Sequence, residues 1–315
     1  MDIKILIILI VIILLTLAIQ IFAAIIAYKI SHPKIYSLKQ IVEEDSKGVE
    51  KLFDLKKYMK KGPLKKEKVD SCKYEIWGLE KNKKYVILVH GVSNRKERML
   101  KYAKIWNDFG YNAVVFDGRG YNEHTSLGNS TFGYKEAELL NAIKADVENK
   151  NVVLSIGLHG ESMGAATVFN WVKRFQRNKN VDFIVVESGY FSFSKPAIKG
   201  MRNKGIPKII AKLMLFFVIR WLILISGANL LSVRVKKKHM KYFKMPILLI
   251  NTRADSIVPL KEHERIVKMF DEEKVKYKTF EVEDSKHVRI LTDEKNQKEW
   301  IKNLDEFIKG VRNEK

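Results

Sequence analysis

A serine between glycines, an aspartate and a histidine stand far apart in this 315-residue chain, in an order and in settings that suit nucleophilic catalysis. The serine lies in Gly160-Glu161-Ser162-Met163-Gly164. An apolar run over 152–158 precedes it and a helix-compatible run over 165–172 follows it. Strand, tight turn and helix are the setting a G-x-S-x-G nucleophile elbow requires. The flanking glycines let neighbouring backbone pass where a Cβ would clash, and the sharp turn holds Ser162 at a strained angle. Its hydroxyl then stands at a helix N-terminus, where partial positive charge favours a developing anion.

Serine alone is a poor nucleophile and needs a base that is itself oriented by an acid. The apolar run over 247–251 leads into 252–259, which holds Asp255; the run over 278–282 leads into 283–287, which ends at His287. Both residues fall just past predicted strand ends, where open α/β sheets build their sites. In this reading Ser162 attacks an acyl carbonyl, His287 carries its proton, and Asp255 orients His287. The plainer readings are Ser162 as a helix cap, Asp255 as a turn residue ahead of Pro259, and His287 as a surface histidine. Glu187, at the end of another predicted strand, is the rival acid. His90 and His159 flank the site and are expected to support its loops. Asp117 and Arg119 are expected to pair beneath it, and His124 and His263 to lie at the surface.

Positioning these groups requires alternating elements. Strands are predicted over 73–78, 85–89, 113–116, 152–157, 183–186, 247–251 and 278–282. Helices are predicted over 97–109, 134–148, 165–176, 262–272 and 294–311. Such alternation implies an α/β fold, a mostly parallel sheet with helices on both faces. Residues 194–243 break the pattern, being far longer than a crossover needs. They are expected to form a helical lid whose apolar face meets an apolar substrate group or the membrane interface; plain packing on the sheet edge is the alternative. A second membrane span over 209–225 would bury Lys212 and Arg220 near mid-depth at a few kcal/mol each, which argues against it.

At the N-terminus, residues 5–27 carry only Thr16 and Gln20 as polar interruptions. At about 1.5 Å per residue this stretch spans a hydrocarbon core of roughly 30 Å, and it exceeds the 7–15 residues or so of a secretory signal's apolar region. The expected organisation is a transmembrane anchor over 1–30, a basic connector over 31–68 and a catalytic domain over 69–315 with the insertion at about 194–243. The connector is read either as a solvated linker, with a helix over 41–58, or as a basic stretch drawn to anionic lipid heads. Lys29, Lys34 and Lys39 against Lys4 would place the domain in the cytoplasm; a hydrolase behind an N-terminal anchor is commonly delivered outside. The side is left open.

Hydrophobic residues make up 46% of the chain, ample for a core. The single cysteine, Cys72, excludes an intrachain disulfide. No histidines or cysteines stand at metal-ligand spacing, so no metal is expected. The net charge of +22 accompanies abundant Lys, Ile and Asn, a lysine-rich surface without a basic face carrying interleaved aromatics, so nucleic acid is not an expected partner.

The chain resembles the α/β-hydrolases over roughly 70–312, and among them bacterial membrane-anchored serine hydrolases of the esterase and prolyl-aminopeptidase-like kinds. The matching marks are His90-Gly91 after one strand, Asp117-Gly118-Arg119-Gly120 after the next, the elbow itself, Asp255-Ser256-Ile257-Val258-Pro259, and His287. The order Ser162, Asp255, His287 is that of the superfamily. The resemblance implies an α/β-hydrolase fold and an oxyanion hole from the backbone N–H groups of Met163 and Val92. It also implies cofactor-free hydrolysis of an ester or related acyl bond, with an aminopeptidase or acyltransferase on the same fold as alternatives. A non-catalytic, membrane-tethered binding module is the reading from another class. Where the family commonly continues Arg-Gly with small residues, Tyr121-Asn122-Glu123-His124 follow here, so the pocket is expected to differ in detail. Residues 194–243 contain neither Asp nor Glu to bind a free amine, which favours an ester with an apolar acyl group.

Overall fold

A computed structural model of the chain describes residues 2–313, apart from 178–180 and 229. It begins with the long helix α1 (Ile3–Ser31), whose first part, residues 3–19, is exposed throughout. Two short helices, α2 (Leu38–Val49) and α3 (Leu55–Lys60), follow. Then come strands β1 (Lys65–Val69), β2 (Cys72–Trp77) and β3 (Lys84–Val89), helix α4 (Leu100–Asp108) and strand β4 (Tyr111–Phe116). Helix α5 (Lys135–Lys150), strand β5 (Ser155–Glu161), helix α6 (Met163–Phe175) and strand β6 (Phe183–Glu187) form the centre. Helices α7 (Ser194–Arg202) and α8 (Lys208–Ser226) make the insertion. Strand β7 (Ile247–Thr252), helix α9 (Leu260–Glu272), strand β8 (Tyr277–Val282) and helix α10 (Gln297–Asn313) complete the fold.

The eight strands form one sheet in the order β1-β2-β4-β3-β5-β6-β7-β8. β1 and β2 pair antiparallel, as do β2 and β4; the remaining pairs are parallel. Strands β4 to β7 are buried almost throughout, which explains their near-continuous apolar sequences. One core lies between the sheet and α5 and α6, with Val168, Trp171 and Ile184 in it; another lies between the opposite face and α4 and α10, around Trp106, Phe183 and Trp300.

Residues 31–68 are not a solvated connector. Ile41, Val49 and Leu55 are buried, and Val49 and Leu55 join the core beneath α4 and α10. The helix expected over 41–58 is two, α2 capped by Ser37 through a capping box and α3 capped by Asp54. Edge strand β1 also falls in this stretch; its Lys65-Lys66-Glu67-Lys68 suits an edge, where lysines discourage further pairing. β5 starts at Ser155, later than expected, because Val152 and Leu154 point to solvent while Asp182 accepts from Ile156 N–H (2.7 Å) and Ser155 Oγ (2.7 Å).

The insertion lies over one end of the sheet. Met201 of α7 packs with Ala211 and Leu215 in the first half of α8. Val218 and Leu222 in its second half pack with Ala23 and Ala27 of α1, over Tyr121, Phe132 and Met163. The Trp221 indole N–H donates to the Gln20 side-chain carbonyl at 3.0 Å.

Candidate active site

The turn between β5 and α6 carries Ser162 at φ 54° and ψ −112°, a conformation rarely adopted by non-glycine residues. Neighbours hold it there. Ser162 N–H donates to Glu187 O (2.8 Å), and Ser162 O accepts the first intrahelical bond, from Ala166 (3.1 Å). The flanking glycines are demanded by close approach: a Cβ on Gly164 would lie 1.9 Å from Val89 O, and one on Gly160 2.4 Å from Gly164 O. The elbow is thereby pressed against the end of β3.

The structure brings His287 and Asp255 together with Ser162. His287 Nε2 is 2.9 Å from Ser162 Oγ, and His287 Nδ1 is 2.7 Å from Asp255 Oδ2. The second oxygen of Asp255 accepts from Ile257 and Val258 N–H, both at 2.8 Å. Burial pushes the Asp255 carboxyl up, but His287 and these two N–H groups outweigh it and hold it below the usual range. With Asp255 ionised, His287 Nδ1 keeps its proton and Nε2 is left to accept from the serine hydroxyl. Glu187, the rival acid, does not reach His287. It is buried beneath the sheet end, accepting from Tyr102 Oη (3.1 Å) and Trp300 Nε1 (3.3 Å).

Ser162, His287, Gly91 and Val92 share one cavity of about 150 Å³, walled also by Tyr36, Asn94 and Ile257. Met163 opens α6, so its N–H has no carbonyl four residues earlier in the helix to bind. Gly91 lies so close that a Cβ there would come within 3.3 Å of Ser162 Cβ, which brings the Gly91-Val92 backbone over the serine.

Glu161, the residue before the serine, was not singled out from sequence. It is fully buried and aims at that same loop: it accepts from Asn94 Nδ2 (3.0 Å) and Gly91 N–H (3.4 Å), with Lys101 Nζ at 3.6 Å. Burial raises its carboxyl, but the Lys101 and Arg98 charges and the Gly91 N–H outweigh that and leave it below the ordinary value. Its position in the elbow was the available signal. Arg98 in turn bonds Asp45 of α2 (2.5 Å), and Arg289, two residues past His287, bonds the same Asp45 oxygen (3.0 Å).

Other expectations divide. His90 supports the loops, accepting from Gly118 N–H (2.7 Å) and donating to Gly91 O (2.7 Å). His159 faces the core instead, accepting from Trp106 Nε1 (3.1 Å), and burial lowers it to about 3. Asp117 and Arg119 do not pair: Asp117 accepts from Lys96 N–H (2.9 Å) and Arg119 donates to Asn129 O (3.2 Å). His124 and His263 are buried rather than at the surface; His124 accepts from Lys73 N–H (2.8 Å), and His263 pairs with Glu281 (3.1 Å). Among the described residues no cluster of three or more metal-ligating side chains occurs.

The profile of the serine aminopeptidase S33 family of hydrolases matches residues 80–236, from β3 through the elbow into the insertion. An esterase of Pyrococcus furiosus, Pf2001, superposes with a TM-score of 0.60 over 78% of this chain and 90% of its own, at 22% identity. The chain has the α/β-hydrolase fold. A solved membrane phospholipase A, described as a bacterial virulence factor, matches over 98% of this chain and 99% of its own, with a TM-score of 0.57 at 14% identity. An uncharacterised protein of Bacillus subtilis, YqkD, is 25% identical over 228 residues, 72% of this chain and 71% of its own. The shared fold accounts for the sheet order, the elbow after β5 and the loops after β7 and β8.

Proposed function

We propose that this chain is a membrane-anchored serine hydrolase that cleaves a carboxylic ester with an apolar acyl group. The observation that carries the proposal is the hydrogen-bonded series Ser162 Oγ, His287 and Asp255 at 2.9 and 2.7 Å beside one cavity. Ser162 Oγ attacks the acyl carbonyl while His287 Nε2 takes its proton. Asp255 holds the imidazole in the correct tautomer and stabilises its charged form. The N–H groups of Val92 and Met163 receive the oxyanion, a donor of this kind contributing about 2.7–4 kcal/mol in the transition state. His287 then returns the proton to the leaving alcohol and activates the water that frees the acyl group.

An ester is favoured over an aminoacyl amide because residues 194–243, the lid in this reading, hold neither Asp nor Glu for an amine. Helix α1 is the anchor in this reading: between Ile5 and Ala27 only Thr16 and Gln20 are polar, and residues 3–19 are exposed throughout. The likeness to a membrane phospholipase A along nearly the whole chain, α1 included, agrees with a membrane setting. Labelling by a fluorophosphonate tests the chemistry: wild type is expected to label and Ser162→Ala not to. Absence of labelling in wild type would refute the serine mechanism. A panel of p-nitrophenyl esters and aminoacyl-anilides then separates esterase from aminopeptidase.

A further inference from the structure

The exposed part of α1, residues 3–19, is about 25 Å long at 1.5 Å per residue, a few Å short of a hydrocarbon core of roughly 30 Å. If α1 spans a bilayer, the apolar layer must therefore extend to the level of Gln20–Ala27, where α8 packs on it. The outward side of α1 stays apolar there, with Ile21, Phe22 and Ile25 exposed. The outward side of α8 continues that surface. Ile209, Leu213, Phe216 and Leu224, at helical spacing, are 83%, 56%, 56% and 72% exposed. This stripe is continuous with a helix that itself requires lipid, and its rim is cationic: Arg202, Lys204, Lys208 and Lys212 are exposed, within an insertion lacking acidic residues. Arg220 lies in the stripe with its guanidinium 5.9 Å from the Phe216 ring; a side chain of that length buries its stem and reaches the headgroups.

Helix α8 does not cross the bilayer on its own. Its first half rests on α7, whose Lys199 donates to Asp255 O, and its second half rests on α1 over Met163. Both halves therefore stay on the hydrolase, with one side turned away from it. We propose that α8 is a second membrane-docking element: it lies in one leaflet of an anionic bilayer beside α1 and seats the Ser162 cavity against the lipid. The occupant is lipid rather than protein because the stripe is bordered by cations and extends the surface of α1. The proposal rests on the anchor reading of α1.

Depth measurements test it without reference to catalysis. In the full chain carrying Cys72→Ser, single Leu213→Cys, Phe216→Cys and Leu224→Cys variants are labelled with nitrobenzoxadiazole. They are reconstituted in vesicles of equimolar phosphatidylglycerol and phosphatidylcholine. Leu9→Cys on α1 serves as the lipid control, and Leu154→Cys, exposed before β5, as the aqueous one. Doxyl lipids are expected to quench positions 213, 216 and 224, as they quench position 9, and to spare 154. Labels at 213, 216 and 224 behaving like 154 while 9 is quenched would overturn the docking of α8 alone. Failure at position 9 as well would remove the anchor reading with it. Labels shielded from both lipid and aqueous quenchers, with crosslinked dimers, would assign the stripe to a second copy and overturn the proposal. As a second readout, Leu213→Asp with Phe216→Asp is expected to lower hydrolysis of vesicle-held esters several-fold and leave a water-soluble p-nitrophenyl ester unchanged. Loss on both substrates alike would contradict it.

Discussion

Arg98 Nη1 lies 2.5 Å from Asp45 Oδ1, an ion pair in which the carboxylate side chain is wholly buried and the guanidinium side chain 3% exposed. It joins α2, the helix that follows α1, to the loop that follows β3 and walls the cavity. Arg289 binds the same carboxylate oxygen, so one acid ties together the loops on both sides of the site.

Removing one partner of a buried pair leaves the other charge uncompensated, at a cost of about 3–5 kcal/mol. Asp45→Ala is therefore expected to lower the thermal midpoint of the detergent-solubilised protein strongly. Asp45→Leu combined with Arg98→Met is expected to recover part of the loss, since it removes both members of the buried pair while Arg289 keeps Glu44 as a partner. A double-mutant cycle by thermal denaturation checks both outcomes.

Asp255→Asn keeps the shape of the proposed triad and inverts its hydrogen bonding, because the amide donates where the carboxylate accepts. The expected result is a fall in kcat of about 10⁴ with intact folding. The carboxyl of Asp255 is held below the ordinary range in the folded protein. The folded state therefore binds its proton less readily than the unfolded one. The stability it contributes is full above the ordinary aspartate value of about 3.9 and is lost as pH falls through the lower folded value. Acid unfolding of wild type and Asp255→Asn, followed by circular dichroism, is expected to show the steeper acid loss in wild type.

Glu187 has the opposite sign. Burial first, and the nearby Glu161 charge, raise it to about 7 against the moderating charge of Lys101. The folded state holds the proton that the unfolded state releases, so stability falls as pH rises from about 4.5 to about 7. Glu187→Gln keeps an acceptor for Tyr102 and Trp300 and removes the titration. It is expected to flatten the stability profile across that window and to stabilise the protein at pH 8 by roughly 1–3 kcal/mol. Denaturant midpoints at pH 5 and pH 8 decide it.

Gly164→Ala places a methyl group 1.9 Å from Val89 O, a backbone atom that cannot rotate aside. Relief requires moving the elbow away from β3. The expected outcome is loss of fluorophosphonate labelling together with destabilisation beyond the ~1–3 kcal/mol of ordinary overpacking. Labelling at the wild-type rate would refute this account of the elbow.

The central strands, the elbow, Asp255 and His287 were legible because each depends on local pattern: an apolar run, a turn signal, and a polar residue past a strand end. What escaped depends on partners distant in sequence. β1 reads as connector because its lysines suit an exposed edge and carry little apolar signal. Asp45 reads as a solvent acid until Arg98 and Arg289 are brought to it. His124 and His263 look like surface groups in polar stretches, yet Lys73 N–H and Glu281 satisfy them in the interior. The outward face of α8 could not be separated from its packed face by composition, since both are apolar and only the placement of α1 tells them apart.

Tyr36 forms part of the cavity wall, and its N–H donates to Ser93 O at 2.9 Å, only a few residues beyond the end of α1 at Ser31. Five residues of extended chain reach at most about 17 Å, so the nucleophile is held on a very short leash. With α1 as the proposed anchor, an enzyme tethered in this way would work in two dimensions. Its encounter rate would be governed by how many ester molecules share its patch of membrane, and diluting the surrounding water would leave that number unchanged.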